Sequence, residues 1–180
     1  MFGFNLSGKN AGSRKEMNTG VQLLASMLVC YPELYSVTYE PRDTEITLDF
    51  VVKAKSSRES MEEFASLLDK SLQTYHDLHG NGPVWLAVDA DVNGALMTVH
   101  VRRQLATMLR GELDLLAELF CDRFGEDLQT DVHTLDALEP EFSNMQSSLL
   151  DQMFDLAQSN RIKERMIGMR DKDKVVVYNR

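Results

Sequence analysis

The chain has 180 residues, of which 43% are apolar and 26% charged, and its net charge is −9. A chain of this length can bury a core without disulfides or a structural metal, and the composition excludes the disordered and fibrous classes. The acidic balance disfavours a general nucleic-acid binder, which needs a concentrated excess of Lys and Arg.

Charge is uneven along the chain. Residues 1–15 hold Lys9, Arg14 and Lys15 with no acid, and residues 161–180 hold seven Lys/Arg against three acids, so basic ends flank an acidic body. A nucleic acid would be met by Arg161, Lys163, Arg165, Arg170, Lys172 and Lys174, but a solvated end of mixed charge is the plainer reading. Cys30 and Cys121 each lie in an apolar helical pattern, where a thiol packs as a small hydrophobe, and this fits a reducing compartment. No N-terminal run has the roughly 7–15 apolar residues of a signal-peptide core, and none approaches the ~20 of a membrane span. The chain reads as cytoplasmic, without a membrane partner.

Met1 to Ser13 is rich in Gly, Asn and Ser and has no period, so residues 1–15 read as a flexible N-terminal segment ahead of one globular domain over 16–180. From Val21, the residues Leu24, Met27 and Leu28 recur at helical spacing, and Pro32 ends this short apolar helix soon after Cys30. Tyr35, Val37 and Tyr39 then alternate, Glu40-Pro41-Arg42-Asp43 turns the chain, and Ile46, Leu48, Phe50 and Val52 alternate back. This is a hairpin with one buried face. Ser56 and Glu59 form a capping box for a helix whose apolar stripe is Met61, Phe64, Leu67, Leu68, Leu72 and Tyr75, ending near Gly80.

The same order then recurs. Val84, Leu86, Val88 and Ala90 alternate, Asn93-Gly94 supplies a turn, and Met97, Val99 and Val101 alternate back. Leu105, Met108, Leu109, Leu113, Leu116, Leu119, Phe120 and Phe124 trace a second long amphipathic helix. Setting residue n against n+51 matches apolar with apolar along the strands, from Tyr35 with Leu86 to Phe50 with Val101, and an offset of 52 does so for the helices. An α+β domain is expected, with an antiparallel sheet from two strand–strand–helix units, about 35–78 and 84–126, and helices packed on one face. The pattern admits an internal duplication. Residues 129–134 read as a polar connection, Pro140 opens a third long helix through Phe142, Met145, Leu149, Met153, Phe154 and Leu156, and residues 166–178 read as a closing hairpin around a charged turn.

Several motifs have plainer explanations. Gly3 to Lys9 nearly matches a phosphate-binding loop, but Asn10 stands where Ser or Thr would hold magnesium, and no strand precedes it. Asp89, Asp91 and Asn93 have the spacing that opens a calcium loop, yet His100 takes the place of the bidentate Glu, and a hairpin turn accounts for the same residues. His76 and His79 are weak metal candidates on adjoining helical turns, with His133 and Asp131 able to join only through the fold. Cys30 and Cys121 lack the helix-starting turn that activates a thiol, and burial is expected for both.

Alternation assigns Ser36, Thr38, Asp49, Val51, Lys53, Ala87, Asp89, Thr98, His100 and Arg102 to the sheet face away from the helices, with Trp85, the only tryptophan. An aromatic anchor with a polar rim suits recognition, so Trp85, His100, Arg102, Asp49 and Thr98 form the candidate binding residues, unless the last helix or the closing hairpin covers them. The leading expectation is a non-catalytic binding or regulatory module, without a cofactor, that meets a protein partner or a second copy of itself. Its ten methionines could supply an adaptable surface or simply fill the core. The alternative is a metal-dependent enzyme using His76, His79, His100 or His133 with nearby carboxylates, and a weaker one is nucleic-acid contact through the basic C-terminus.

Overall fold

The computed structural model describes residues 9–131, 140–172 and 174–179, with side chains for 19–131, 141–172 and 174–179. Six strands form one antiparallel sheet: β1 (Ser36–Glu40), β2 (Glu45–Lys53), β3 (Leu86–Asn93), β4 (Leu96–Gln104), β5 (Met166–Asp171) and β6 (Lys174–Asn179). Their order is β3-β4-β2-β1-β5-β6, so the two hairpins join through their return strands and the closing hairpin extends the sheet beyond β1. The β3–β4 turn is centred on Gly94 and Ala95, one residue beyond the expected pair, with Gly94 at φ 63°, in the first central position where a type II′ turn takes glycine.

All four helices, α1 (Lys9–Cys30), α2 (Arg58–Leu78), α3 (Glu112–Phe124) and α4 (Pro140–Ser159), contribute to one core on one side of the sheet. Period-two alternation delivers Val37, Ile46, Leu48, Phe50, Val99 and Val101 to that core. Phe50 stacks on Phe120 at 3.7 Å between ring centroids, and Phe64 meets Phe120 edge-on at 5.0 Å, which docks α2 and α3 over the central strands. Gly168 faces α1, where a Cβ would stand 3.0 Å from Leu28 Cδ1, so its missing side chain lets helix and strand approach. At the end of α1, the Arg170 guanidinium donates to the carbonyls of Leu28 and Tyr31 and pairs with Asp131 at 3.0 Å, satisfying carbonyls that a helix end leaves open.

The structure moves several sequence expectations. α1 begins at Lys9, well before Val21; nothing between Lys9 and Cys30 is a proline to stop it. Residues 1–8, with most of the near phosphate loop, lie outside the described residues. The N-cap of α2 is Ser57, which accepts from Ser60 N–H at 3.2 Å; Ser57 has the extended backbone a cap needs, and Ser56 sits one residue outside.

The second long helix is two pieces: Leu105–Thr107 is a 3-10 turn, and α3 starts only at Glu112, whose carboxylate accepts from Leu109 N–H at 2.8 Å. Tyr35 precedes β1 and is 42% exposed, and Cys121 is exposed on the outer side of α3 instead of buried. No described helix is long and apolar enough to cross a membrane.

Candidate functional site

Parity decides which side chains meet on the far face of the sheet. Thr47, Asp49 and Val51 of β2 point away from the helices, as do Thr98, His100 and Arg102 of β4, Ala87, Asp89 and Asp91 of β3, and Ser36 and Thr38 of β1. The register then aligns Asp89, His100, Asp49 and Ser36 in one row across four strands. Thr98 lies in the adjoining row between Val51 and Asp91, and Arg102 in the next between Thr47 and Ala87.

Within this patch the polar groups satisfy one another. His100 Nδ1 donates to Asp49 Oδ1 at 2.7 Å and Nε2 donates to Asp91 Oδ2 at 3.2 Å. Ser36 Oγ donates to the other oxygen of Asp49, and Arg102 Nη2 donates to Asp89. Partial burial pulls the His100 pKa down, but hydrogen bonds and negative charge from Asp49 and then Asp91 outweigh it, and the net shift is upward. Both carboxylate contacts are made in full by the imidazolium, the form in which each ring nitrogen donates, so the pair of acids favours that form.

The bond order along the row is hydroxyl, carboxylate, imidazole. Asp49 stands between Ser36 and His100, so the serine donates to a carboxylate and not to the imidazole, and the order differs from that of a hydrolytic triad. The row holds a charge in place; it does not activate a nucleophile. Asp89, Asp91 and Asn93 are spread along an extended strand, two of them engaged by Arg102 and His100, and their oxygens do not wrap a common point.

Trp85 immediately precedes β3, two residues before Ala87 in the outward series, and is 44% exposed. Its carbonyl accepts from Arg103 Nη1 at 2.5 Å, so a buried arginine fixes the backbone that carries the indole. Neither the closing hairpin nor a described helix covers the patch: β5 and β6 lie in the plane of the sheet, and α4 packs on α1 and the 3-10 turn of the opposite side.

No family model, curated protein or solved structure matches this chain. The reading therefore rests on the geometry of the chain itself.

The histidines occupy separate places. His100 is on the open face, His76 is buried under α2, and His79 caps α2 with Nδ1 2.7 Å from the Tyr75 carbonyl and its ring against that of Tyr75. His133 lies outside the described residues, and Asp131 is engaged by Arg170. Among the described residues, no three His, Cys, Asp or Glu side chains stand together as a metal site. Both thiols have raised pKa values, Cys30 through burial and Cys121 through burial and then Glu33, which keeps them from the reactive thiolate form. The C-terminal cations are dispersed: Arg170 holds the end of α1, Arg165 lies 3.5 Å from Glu40, and Arg161 donates to the Pro41 carbonyl.

Sequence reading missed a buried ion pair of Arg103 and Glu112 and the place of His76 beside it. All three side chains are essentially inaccessible. Arg103 Nε and Nη2 donate to the two oxygens of Glu112 at 2.8 and 2.9 Å, and His76 Nε2 donates to Glu112 Oε1 at 2.5 Å. Parity carried the only signal, since Arg103 continues the inward series Met97, Val99, Val101 and must enter the core with a counter-charge.

Proposed function

We propose that this protein is a non-catalytic binding module whose contact surface is the outer sheet face beside Trp85, formed by Asp49, Thr98, His100 and Arg102. The observation that carries this reading is a half-exposed tryptophan, held by a buried arginine, next to a polar face that the described helices leave open. An aromatic on a fixed backbone, in line with pre-paired polar groups, loses little backbone freedom on binding, which favours recognition. Ser36, Asp49 and His100 bond in an order that sets a carboxylate and not the imidazole against the serine hydroxyl, which supports binding over nucleophilic catalysis.

Photo-crosslinking tests it. A benzoyl-phenylalanine at Thr98 is expected to yield a discrete covalent adduct in extract of the source cells, and the same probe at Thr74 on exposed α2 is not. The Thr98 adduct should vanish in Trp85→Ala. Equal labelling from both positions, or a Thr98 adduct indifferent to Trp85, would refute the assignment.

A further inference from the structure

β6 ends the sheet beyond β5 and, among the described residues, pairs with β5 alone, so its other edge presents backbone donors and acceptors without strand partners. Its register with β5 runs without a bulge, and it holds no proline and no inward charge, three devices by which sheets blunt an edge. Gly168, which faces α1, is the partner of Val177. Val175 and Val177 therefore point toward the helices, and Lys174, Val176 and Tyr178 point outward. The outward side here is unlike the polar patch on β2, β3 and β4. Val176 and Tyr178 stand beside Met169 and Ile167 of β5, an apolar strip that runs to the open edge, with Tyr178 52% exposed.

We propose that this edge is a homodimer interface, in which β6 pairs antiparallel with β6 of a second copy about a two-fold axis through Val176. The strand selects this occupant because it is its own complement. The axis sets Val176 against the copy's Val176, Val175 against the copy's Val177, and Lys174 against the copy's Tyr178. Valines meet valines on both faces, the one charge of the strand meets an aromatic ring, and no two like charges face each other. An axis through Val177 would instead set Tyr178 against Val176 and take Lys174 away from the ring, which favours the Val176 register.

A lone extended peptide fits the edge less well. Its inward side chains would lie past α1 with no second layer above them. A copy brings its own α1, which packs on its β5 and β6, so sheet and helix layers both continue across the seam. The inference stands apart from the Trp85 face, which borders β3 at the opposite end of the sheet.

Sedimentation of the full chain over a concentration series is the first test. A monomer–dimer equilibrium is expected, with Kd of roughly 1–100 μM for so small an interface. Val176→Lys places like charges opposite each other at the axis and should weaken the dimer at least about tenfold, with circular dichroism unchanged. In a Cys121→Ser background, Val176→Cys should oxidise to a covalent dimer, because the axis sets the residue against itself, and Tyr178→Cys, which faces Lys174, should not. Amide exchange in Lys174–Asn179 should slow as the dimer forms. A chain still monomeric at about 1 mM, tenfold above that range, would overturn the proposal, as would a dimer that Val176→Lys leaves intact or equal oxidation of the two cysteine variants. Slowed β6 exchange seen only with another protein present overturns the copy as occupant. Trp85→Ala should leave the dimer unchanged; a dimer lost in Trp85→Ala places the contact on the outer face and overturns the edge, so the two readings fail separately.

Discussion

His100 and Asp49 stand directly opposite each other across the central strand pair, Nδ1 to Oδ1 at 2.7 Å, and this contact ties the two strand–strand–helix units on their open face. Asp91 reaches the other ring nitrogen from β3. The imidazolium therefore bridges two strands that flank its own.

This bridge makes stability depend on pH. The folded pKa of His100 is raised above the ordinary 6.5, so the folded state binds more protons than the unfolded state as pH climbs past that value. The contribution is fully present below 6.5 and is lost as pH rises through the folded pKa. Urea denaturation at a series of pH values should give a free energy that falls over this window, and His100→Gln should remove that part of the slope. An NMR titration of His100 in Asp49→Asn should give a lower pKa than in the parent chain.

The buried trio of Arg103, Glu112 and His76 calls for asymmetric mutational effects. Glu112→Gln removes the negative member and leaves Arg103 in the core without its counter-charge, at a cost of about 3–5 kcal/mol. Arg103→Met with Glu112→Leu removes both charges, and its loss should be smaller than the sum of the single changes. Equilibrium unfolding of the three variants reads the difference directly.

The start of α2 separates two adjacent serines. Ser57→Ala removes the acceptor for Ser60 N–H and should cost about 1 kcal/mol, whereas Ser56→Ala should fall within about 0.5 kcal/mol of the parent. Thermal midpoints under matched conditions rank the two.

Much of the fold was legible because period-two and period-3.6 patterns respond to burial on one side. Val37, Ile46, Leu48, Phe50, Val99 and Val101 announce their faces in the sequence, and the face of Asp49, Thr98, His100 and Arg102 follows by exclusion. Residues 51 apart were aligned only by apolar character, yet the register sets one such pair, Asp49 and His100, against each other. Periodicity names a face but not the neighbour on the next strand, so their hydrogen bond was not legible.

Other features depend on tertiary approach. Glu112 falls outside the apolar positions that mark the second helix in the sequence, and only the convergence of β4, α2 and α3 makes it the counter-charge of Arg103 and the acceptor for Leu109 N–H ahead of α3. Cys121 follows Phe120 within an apolar run, but one residue is about 100° round the helix, so it falls outside the buried stripe of Leu113, Leu116, Ala117 and Phe120. Ala90 and Val92 alternate with Asp89 and Asp91 as buried strand residues would, yet both are exposed beside the first turns of α2, a placement that β3 itself does not encode.

The central claim is that a partner docks against Trp85. The chain has a single tryptophan, so its fluorescence reports on that site alone when the adduct formed at Thr98 is isolated with a tryptophan-free partner fragment left by proteolysis. Acrylamide quenching should be strong in the free protein, where the indole is 44% exposed, and sharply reduced in the adduct, with emission shifted to shorter wavelength. Quenching and emission unchanged between free protein and adduct would contradict the assignment of this face as the binding surface.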